Sequence, residues 1–231
     1  MKWNPAEIEC LAPILDRLRA GLAPLDGKHI LVLCSASGEV PLWLAQSTAH
    51  AHILGLELSQ DGLAAARRSA IEKGLDRQVE FYPAQRNHIP FPDNTFDGLV
   101  SEFILFPTPM PTEIGQPEMA RVLKPGSPML ITDVIVTRQL PAGARLALQA
   151  IGLDYLCEAT PADFCAWMEG AGLADVAVED LTPLVQPVWR RRQLEDPTPG
   201  QQEGYSLLLD NPETRLSESI FYIYVRGKKP L

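Results

Sequence analysis

Glu57 closes the apolar run Ile53 to Leu56, and about twenty residues before it the run Ile30 to Leu33 breaks into the small residues Cys34-Ser35-Ala36-Ser37-Gly38. A carboxylate at a strand tip accepts hydrogen bonds from two ribose hydroxyls, and a turn of small residues lets a ligand approach the backbone and the free N–H groups of the helix behind it. That helix is announced by Val40, Leu42, Leu44 and Ala45. Strand, tight turn, helix and second strand with a terminal acid form a unit suited to an adenosine-bearing ligand. A dinucleotide would require G-x-G-x-x-G; here the turn carries one glycine, Gly38, and lacks that spacing.

The remaining chemistry-bearing residues are scattered. His88 lies in a loop and titrates in the range useful to a general base. His50 and His52 alternate at the entry to the second strand without further ligands nearby, so no metal site is read there. The four cysteines, Cys10, Cys34, Cys157 and Cys165, show no C-x-x-C spacing and read as reduced thiols. Arg190-Arg191-Arg192 reads as a solvated run, with contact to an anionic substrate as the alternative.

These residues need an α/β frame. The pattern predicts a helix over residues 5–22 with Asn4 as N-cap, Pro5 in its first turn and a bend or split at Pro13. A helix capped by Ser59 and stopped by Gly74 follows the second strand, and Val79 to Tyr82 form the third. Gly98 to Phe103 and Met129 to Asp133 are the fourth and fifth strands. Leu140 to Tyr155 and Pro161 to Ala171 read as two helical segments, the second with Thr160 as N-cap and Gly172 as stop, and Asp175 to Leu181 and Ser219 to Arg226 are the last two strands. A chain of 231 residues with formal net charge -9 suits a single α/β domain that acts on small neutral or cationic molecules and not on nucleic acid. The N-terminus lacks a basic-then-apolar signal pattern, and no run of about eighteen apolar residues occurs, so a cytoplasmic protein without membrane partners is expected.

Four ordered segments resemble one family. Ile30 to Gly38 is similar to the first motif of class I S-adenosylmethionine-dependent methyltransferases, with Cys34, Ala36 and Gly38 at its three glycine positions. Glu57 matches the acid after the second strand. Ile89-Pro90-Phe91-Pro92-Asp93-Asn94-Thr95-Phe96-Asp97 matches the L-P-F-x-D-x-x-F-D segment, and Glu118 to Gly126 matches E-x-x-R-V-L-K-P-G, with Ser127 in place of a second glycine. The resemblance implies a Rossmann-like seven-stranded sheet with an antiparallel last strand and helices on both faces. It also implies S-adenosylmethionine held by Cys34, Ser35, Ala36, Gly38, Glu57, Leu58, Gln85, Arg86 and Ser101. Gln85 stands where the family usually has an aspartate, and its carbonyl can accept the same adenine hydrogen bond. Residues 28–137 would form the cofactor core, 1–27 an N-terminal helical segment, and 138–231 substrate-covering helices, a long connection and the last two strands.

Transfer of a sulfonium methyl needs in-line positioning and a dry pocket, with a base where the nucleophile must lose a proton. The resemblance places Ser101, Glu102, Phe103 and Asp133 at the mouth, with Glu102 and His88 as the candidate catalytic residues and Tyr155 beside them. Altered glycine positions leave a second reading: a non-catalytic S-adenosylmethionine-binding module or silent subunit. The segment after Val136 is similar to the tail of arsenite methyltransferases, where a cysteine near Cys157 helps bind arsenic. Such a site needs about three converging sulfurs, and Cys157 supplies one. Residues 182–216 are expected as one long connection that covers the substrate or joins two copies in a homodimer.

Overall fold

The computed structural model describes residues 5–33, 38–48, 50–85, 87–102, 115–153, 156–195, 198–209 and 216–231. The elements run α1 (Pro5–Leu22), β1 (His29–Leu33), α2 (Glu39–Gln46), β2 (His52–Glu57), α3 (Gln60–Glu72), β3 (Val79–Pro83), β4 (Gly98–Glu102), α4 (Gln116–Val122) and β5 (Pro128–Val136). They continue with α5 (Ala142–Ala150), β6 (Cys157–Glu158), α6 (Pro161–Gly170), β7 (Ala174–Asp180), α7 (Thr182–Glu195), α8 (Pro199–Leu209) and β8 (Ile220–Lys228). Seven strands lie in the order β3-β2-β1-β4-β5-β8-β7, and the two-residue β6 pairs with β5 off that path. The strands β1 to β5 are parallel, while β8 runs antiparallel to both β5 and β7. This is the expected Rossmann-like sheet. Strand order reverses between β1 and β4, which puts the ligand crevice at their carboxyl ends.

Continuous apolar strands are buried on both faces, as a parallel sheet covered by helices requires. On one face Val32, Val100, Leu130 and Val134 pack with Leu18 of α1, Leu44 of α2, Ala66 of α3, Leu148 of α5, Trp189 of α7 and Tyr205 of α8. On the other, Leu33, Leu99, Ile131 and Ile135 pack with Met119 of α4, Phe164 of α6 and the loop residues Ile89 and Phe96. Local signals hold where they were strong. Ser59 Oγ accepts from Gly62 N, Thr160 and Asp163 form a capping box on α6, and Gly74 and Gly172 leave their helices at positive φ.

Four expectations need correction. α1 runs unbroken through Pro13. β5 extends to Val136, so Asp133 lies inside the strand and does not follow it. α5 ends at Ala150, ahead of Gly152 with φ 86°, and is shorter than the apolar pattern through Tyr155. The stretch 182–216 is not one long connection but contains two helices. Pro183 and Pro199 fall in the first turns of α7 and α8, where a missing N–H breaks no helical bond, and Val185, Val188 and Trp189 recur at helical spacing toward the core. No described helix is long and apolar enough to cross a membrane.

The helix pair is seated through a glycine. A Cβ at Gly204 of α8 would stand 2.3 Å from the Ala147 carbonyl oxygen of α5, whereas one at Gly143 would meet nothing within 4 Å. Gly204→Ala should destabilise the protein by about 1–3 kcal/mol through overpacking, and Gly143→Ala should stabilise it by up to about 1 kcal/mol. Denaturant midpoints of the two variants should move in opposite directions; parallel shifts would contradict this packing.

Candidate active site

Register sets the site. Leu33 of β1 pairs with Leu56 of β2 and with Ser101 of β4, and Ser101 pairs with Ile131 of β5. Glu57 therefore stands one residue above this level on one side of β1 and Ser101 lies at it on the other, about 10 Å apart at two strand spacings. Glu57 is 2% exposed, and its Oε1 accepts from Ser59 N at 2.8 Å. Leu58 is half-buried beside it. Gln85 is exposed two residues after β3, next to Ala84, whose N–H donates to the Glu57 carbonyl.

Gly38 precedes α2 at φ 89°, a left-handed conformation that side chains disfavour. A Cβ there would also approach Phe81 Cζ to 2.7 Å and Ala66 Cβ to 3.1 Å. Of the three glycine positions of the first motif, this one is thus required by backbone and packing alike. Cys34, Ser35, Ala36 and Arg86 lie outside the described residues, as do Phe103 and Tyr155. Of Glu102 the structure describes the backbone, at the last position of β4 opposite Thr132. A buried carboxylate at one strand tip and a left-handed glycine turn at the next fit an adenosine-bearing cofactor, the first for its hydroxyls and the second for close backbone approach.

His88 is drawn elsewhere. Its Nδ1 lies 2.8 Å from Glu118 Oε1 of α4, with more than half of its side chain exposed. Glu118 also accepts from Ile89 N and from Arg121 Nε and Nη2, and Arg121 donates to the carbonyls of Ile89 and Phe91 and to Asp93. The two family-like segments around residues 89–97 and 118–126 are therefore one interlocked unit. Sequence reasoning named both without their contact; the signal was the i, i+3 Glu118–Arg121 spacing.

Sequence reasoning gave Asp133 little weight. It is half-buried among apolar neighbours, and burial pushes its carboxyl up to about 7 against the lowering effect of the Val134 N–H it accepts at 2.7 Å. Burial, then Asp133 and Asp163, push the nearby Cys157 thiol up to about 11, which keeps it protonated at neutral pH. Among the described residues no three His, Cys, Asp or Glu side chains cluster to hold a metal.

Comparison with known proteins decides the family. The sequence profile described as a methyltransferase domain matches residues 30–126. The chain is 30% identical over 181 residues to the demethylmenaquinone methyltransferase of Clavibacter sepedonicus, which covers 70% of this chain and 71% of that protein. It belongs to the class I S-adenosylmethionine-dependent methyltransferases. Methyltransferase GfsG of Streptomyces halstedii is 29% identical over 192 residues, covering 80% and 68% of the two chains. The geranyl diphosphate C-methyltransferase of Streptomyces coelicolor A3(2) shares the fold, with a TM-score of 0.76 at 15% identity over 99% of this chain and 85% of that one. The protein is accordingly a methyltransferase of small molecules that uses S-adenosylmethionine, and the silent-subunit reading gives way to that of an enzyme.

The interlock makes a pH prediction. Hydrogen bonds from Arg121, outweighing burial, hold Glu118 at about 2 against an ordinary 4.5. A depressed folded value means that the stabilisation is present above pH 4.5 and is lost as pH falls toward 2. In Glu118→Gln the decline of melting temperature through this acid window should be shallower than in the wild type; parallel curves would show that the pair does not stabilise the fold.

Proposed function

We propose that residues 28–137 hold S-adenosylmethionine with its ribose on Glu57, its adenine edge at Gln85, and its amino-acid end over the Cys34 to Gly38 turn, Leu58, Arg86 and Ser101 lining the same crevice. The observation that carries this reading is Glu57, a carboxylate 2% exposed at the carboxyl tip of β2, directly beside the point where strand order reverses. When bound, S-adenosylmethionine supplies a methyl group already activated by a positive sulfonium. The protein's own task is then to bind, orient and exclude water. Glu102, at the end of β4, is the proposed contact to the acceptor. His88 is proposed as a rim residue, which its pairing to Glu118 supports, and not as the base.

The acceptor is proposed to be a compact, largely apolar organic molecule. Support comes from the apolar strand residues Leu33 and Ile131 on either side of Ser101, from the net charge of -9 that disfavours nucleic acid, and from relatives named for demethylmenaquinone and for 27-O-demethylrifamycin SV. Residues 138–231 are proposed to cover that acceptor, with α5 and α6 nearest the ends of β4 and β5. Action in the cytoplasm is proposed, in keeping with the described helices, none of which is long and apolar enough to cross a membrane. A homodimer through α7 is proposed on its exposed Leu184 and Leu194; a light-scattering mass of one chain would remove it.

Calorimetric titration with S-adenosylhomocysteine tests the cofactor reading. Wild type should bind in the micromolar range, and Glu57→Ala should weaken binding about ten- to hundredfold, the equivalent of about 1.5–3 kcal/mol for hydrogen bonds to a charged group. Equal affinities would sink the ribose assignment.

A further inference from the structure

A cavity of about 440 Å³ opens at the amino-terminal end of the parallel strands, the end of the sheet away from Glu57 and the cofactor crevice. Its walls include Gly21 in the last turn of α1, Pro128 and Leu130 at the start of β5, Asp175 near the start of β7, and Arg226 and Lys228 toward the end of β8. Every residue that lines it is described. Its volume is that of a site for a small organic molecule.

Packing does not account for the polar groups around it. Tyr224 of β8 is 3% exposed, and its ring lies under the Arg17 guanidinium at 5.6 Å. A Cβ at Gly21 would fall onto Tyr224 Oη and come within 2.9 Å of Leu130 Cδ1, so the hydroxyl reaches the cavity wall at the α1 position that has no side chain. Among the described residues that oxygen has no hydrogen-bond partner, and it is not closed off from solvent. Phenylalanine would fill the same core space without desolvating a hydroxyl for no return. Register sets two cations beside it: Tyr224 pairs with Thr132 of β5, Arg226 with Leu130 and Lys228 with Pro128, which puts all three side chains of β8 on one face. Arg226 and Lys228 form no ion pair among the described residues, whereas the neighbouring Arg17 is held by Glu179. The far rim offers acceptors. Asp175, at φ 54° where the β7 ladder slips between Ala174 and Ala177, is likewise unpaired among the described residues, and the last turn of α1 ends in carbonyls that lack helical partners.

We propose that this cavity is a second ligand site that binds a small polyhydroxylated phosphomonoester, its phosphoryl group on Arg226, Lys228 and the Tyr224 hydroxyl and its own hydroxyls on Asp175 and the α1 carbonyls. A guanidinium, an ammonium and a phenol supply only donors, which matches the acceptor oxygens of a dianion. Burial raises the affinity of the Tyr224 oxygen for its proton, so the group stays a donor. The opposite rim supplies only acceptors, which matches alcohol hydroxyls and repels a second anion. The space exceeds what a bare phosphate ion would fill, so the anion carries an organic body. The site lies at the opposite end of the sheet from methyl transfer and does not depend on the cofactor reading.

Calorimetric titration of the full chain with glucose 6-phosphate, glucose and inorganic phosphate tests the site. Glucose 6-phosphate should bind more tightly than about 1 mM, inorganic phosphate about tenfold more weakly, and glucose not measurably. Arg226→Gln and Lys228→Gln, both at exposed positions, should each weaken glucose 6-phosphate about tenfold, as for loss of a charge-assisted hydrogen bond. Tyr224→Phe should weaken it about fivefold while its melting temperature stays level or rises, because the hydroxyl it loses has no partner in the free protein. Glu57→Ala should bind glucose 6-phosphate as the wild type does. Inorganic phosphate binding as tightly as glucose 6-phosphate would mean an adventitious ion only and overturn the proposal. Absence of binding, equal affinities in wild type and the three cavity variants, or loss of binding in Glu57→Ala, which would put the ligand in the other crevice, would overturn it as well.

Discussion

The Arg121 guanidinium ties the sheet to its least regular segment. Its planar fork reaches both oxygens of Glu118, the carbonyls of Ile89 and Phe91, and Asp93, all between 2.7 and 2.9 Å. The loop it holds leaves β3 at the carboxyl edge, next to Gln85, and enters β4 at the opposite edge. There Asp97 accepts from His29 N of β1 and from Lys124 after α4. Phe91 and Phe96 pack edge to face inside the loop with centroids 5.2 Å apart. Without a multidentate cation, the carbonyls of Ile89 and Phe91 would sit against a buried core with poor partners. A lysine, a point charge on a flexible stem, could not satisfy them together. The position of β4, and with it Ser101 and Glu102, depends on this clamp.

How much of this was legible in the sequence follows from how local each signal is. Ser59, Thr160, Gly74 and Gly172 act within one helical turn, and each appears in its expected role. Gly38 was legible for a similar reason, because left-handed backbone and the approach of Phe81 leave no room for a Cβ. The α7 and α8 pair was not. Pro183, Pro187 and Pro199 disguise a helical repeat whose stability comes from packing against α1 and α5, a tertiary effect that local propensity does not report. Asp133 misled for the opposite reason: a charge was taken as the end of a strand, whereas β8, pairing through Val136, carries β5 three residues further.

The cofactor half of the site was more legible than the acceptor half. Every class I methyltransferase binds one cofactor, so strand, turn and acid recur at fixed spacing, while the acceptor varies and its contacts are assembled from distant segments. In this chain β4, β5, β6, β8 and α6 meet near the carboxyl end of the sheet, with Ser101 of β4 and Ile223 of β8 separated by 122 positions (223 − 101), at a register no short motif encodes.

Glu118 and Asp133 show how the fold assigns different tasks to the same chemical group. Glu118 stands within a network of N–H donors and a guanidinium, and is held at about 2: it is permanently charged and serves the frame. Asp133 has one backbone donor among apolar neighbours, and burial raises it to about 7, so it changes charge near neutral pH. Environment separates the two by more than either burial or hydrogen bonding would alone, because at Glu118 donors outweigh desolvation and at Asp133 desolvation outweighs the donor. A carboxylate fixed by donors is a poor proton acceptor; one with a single backbone donor among apolar residues keeps its affinity for a proton.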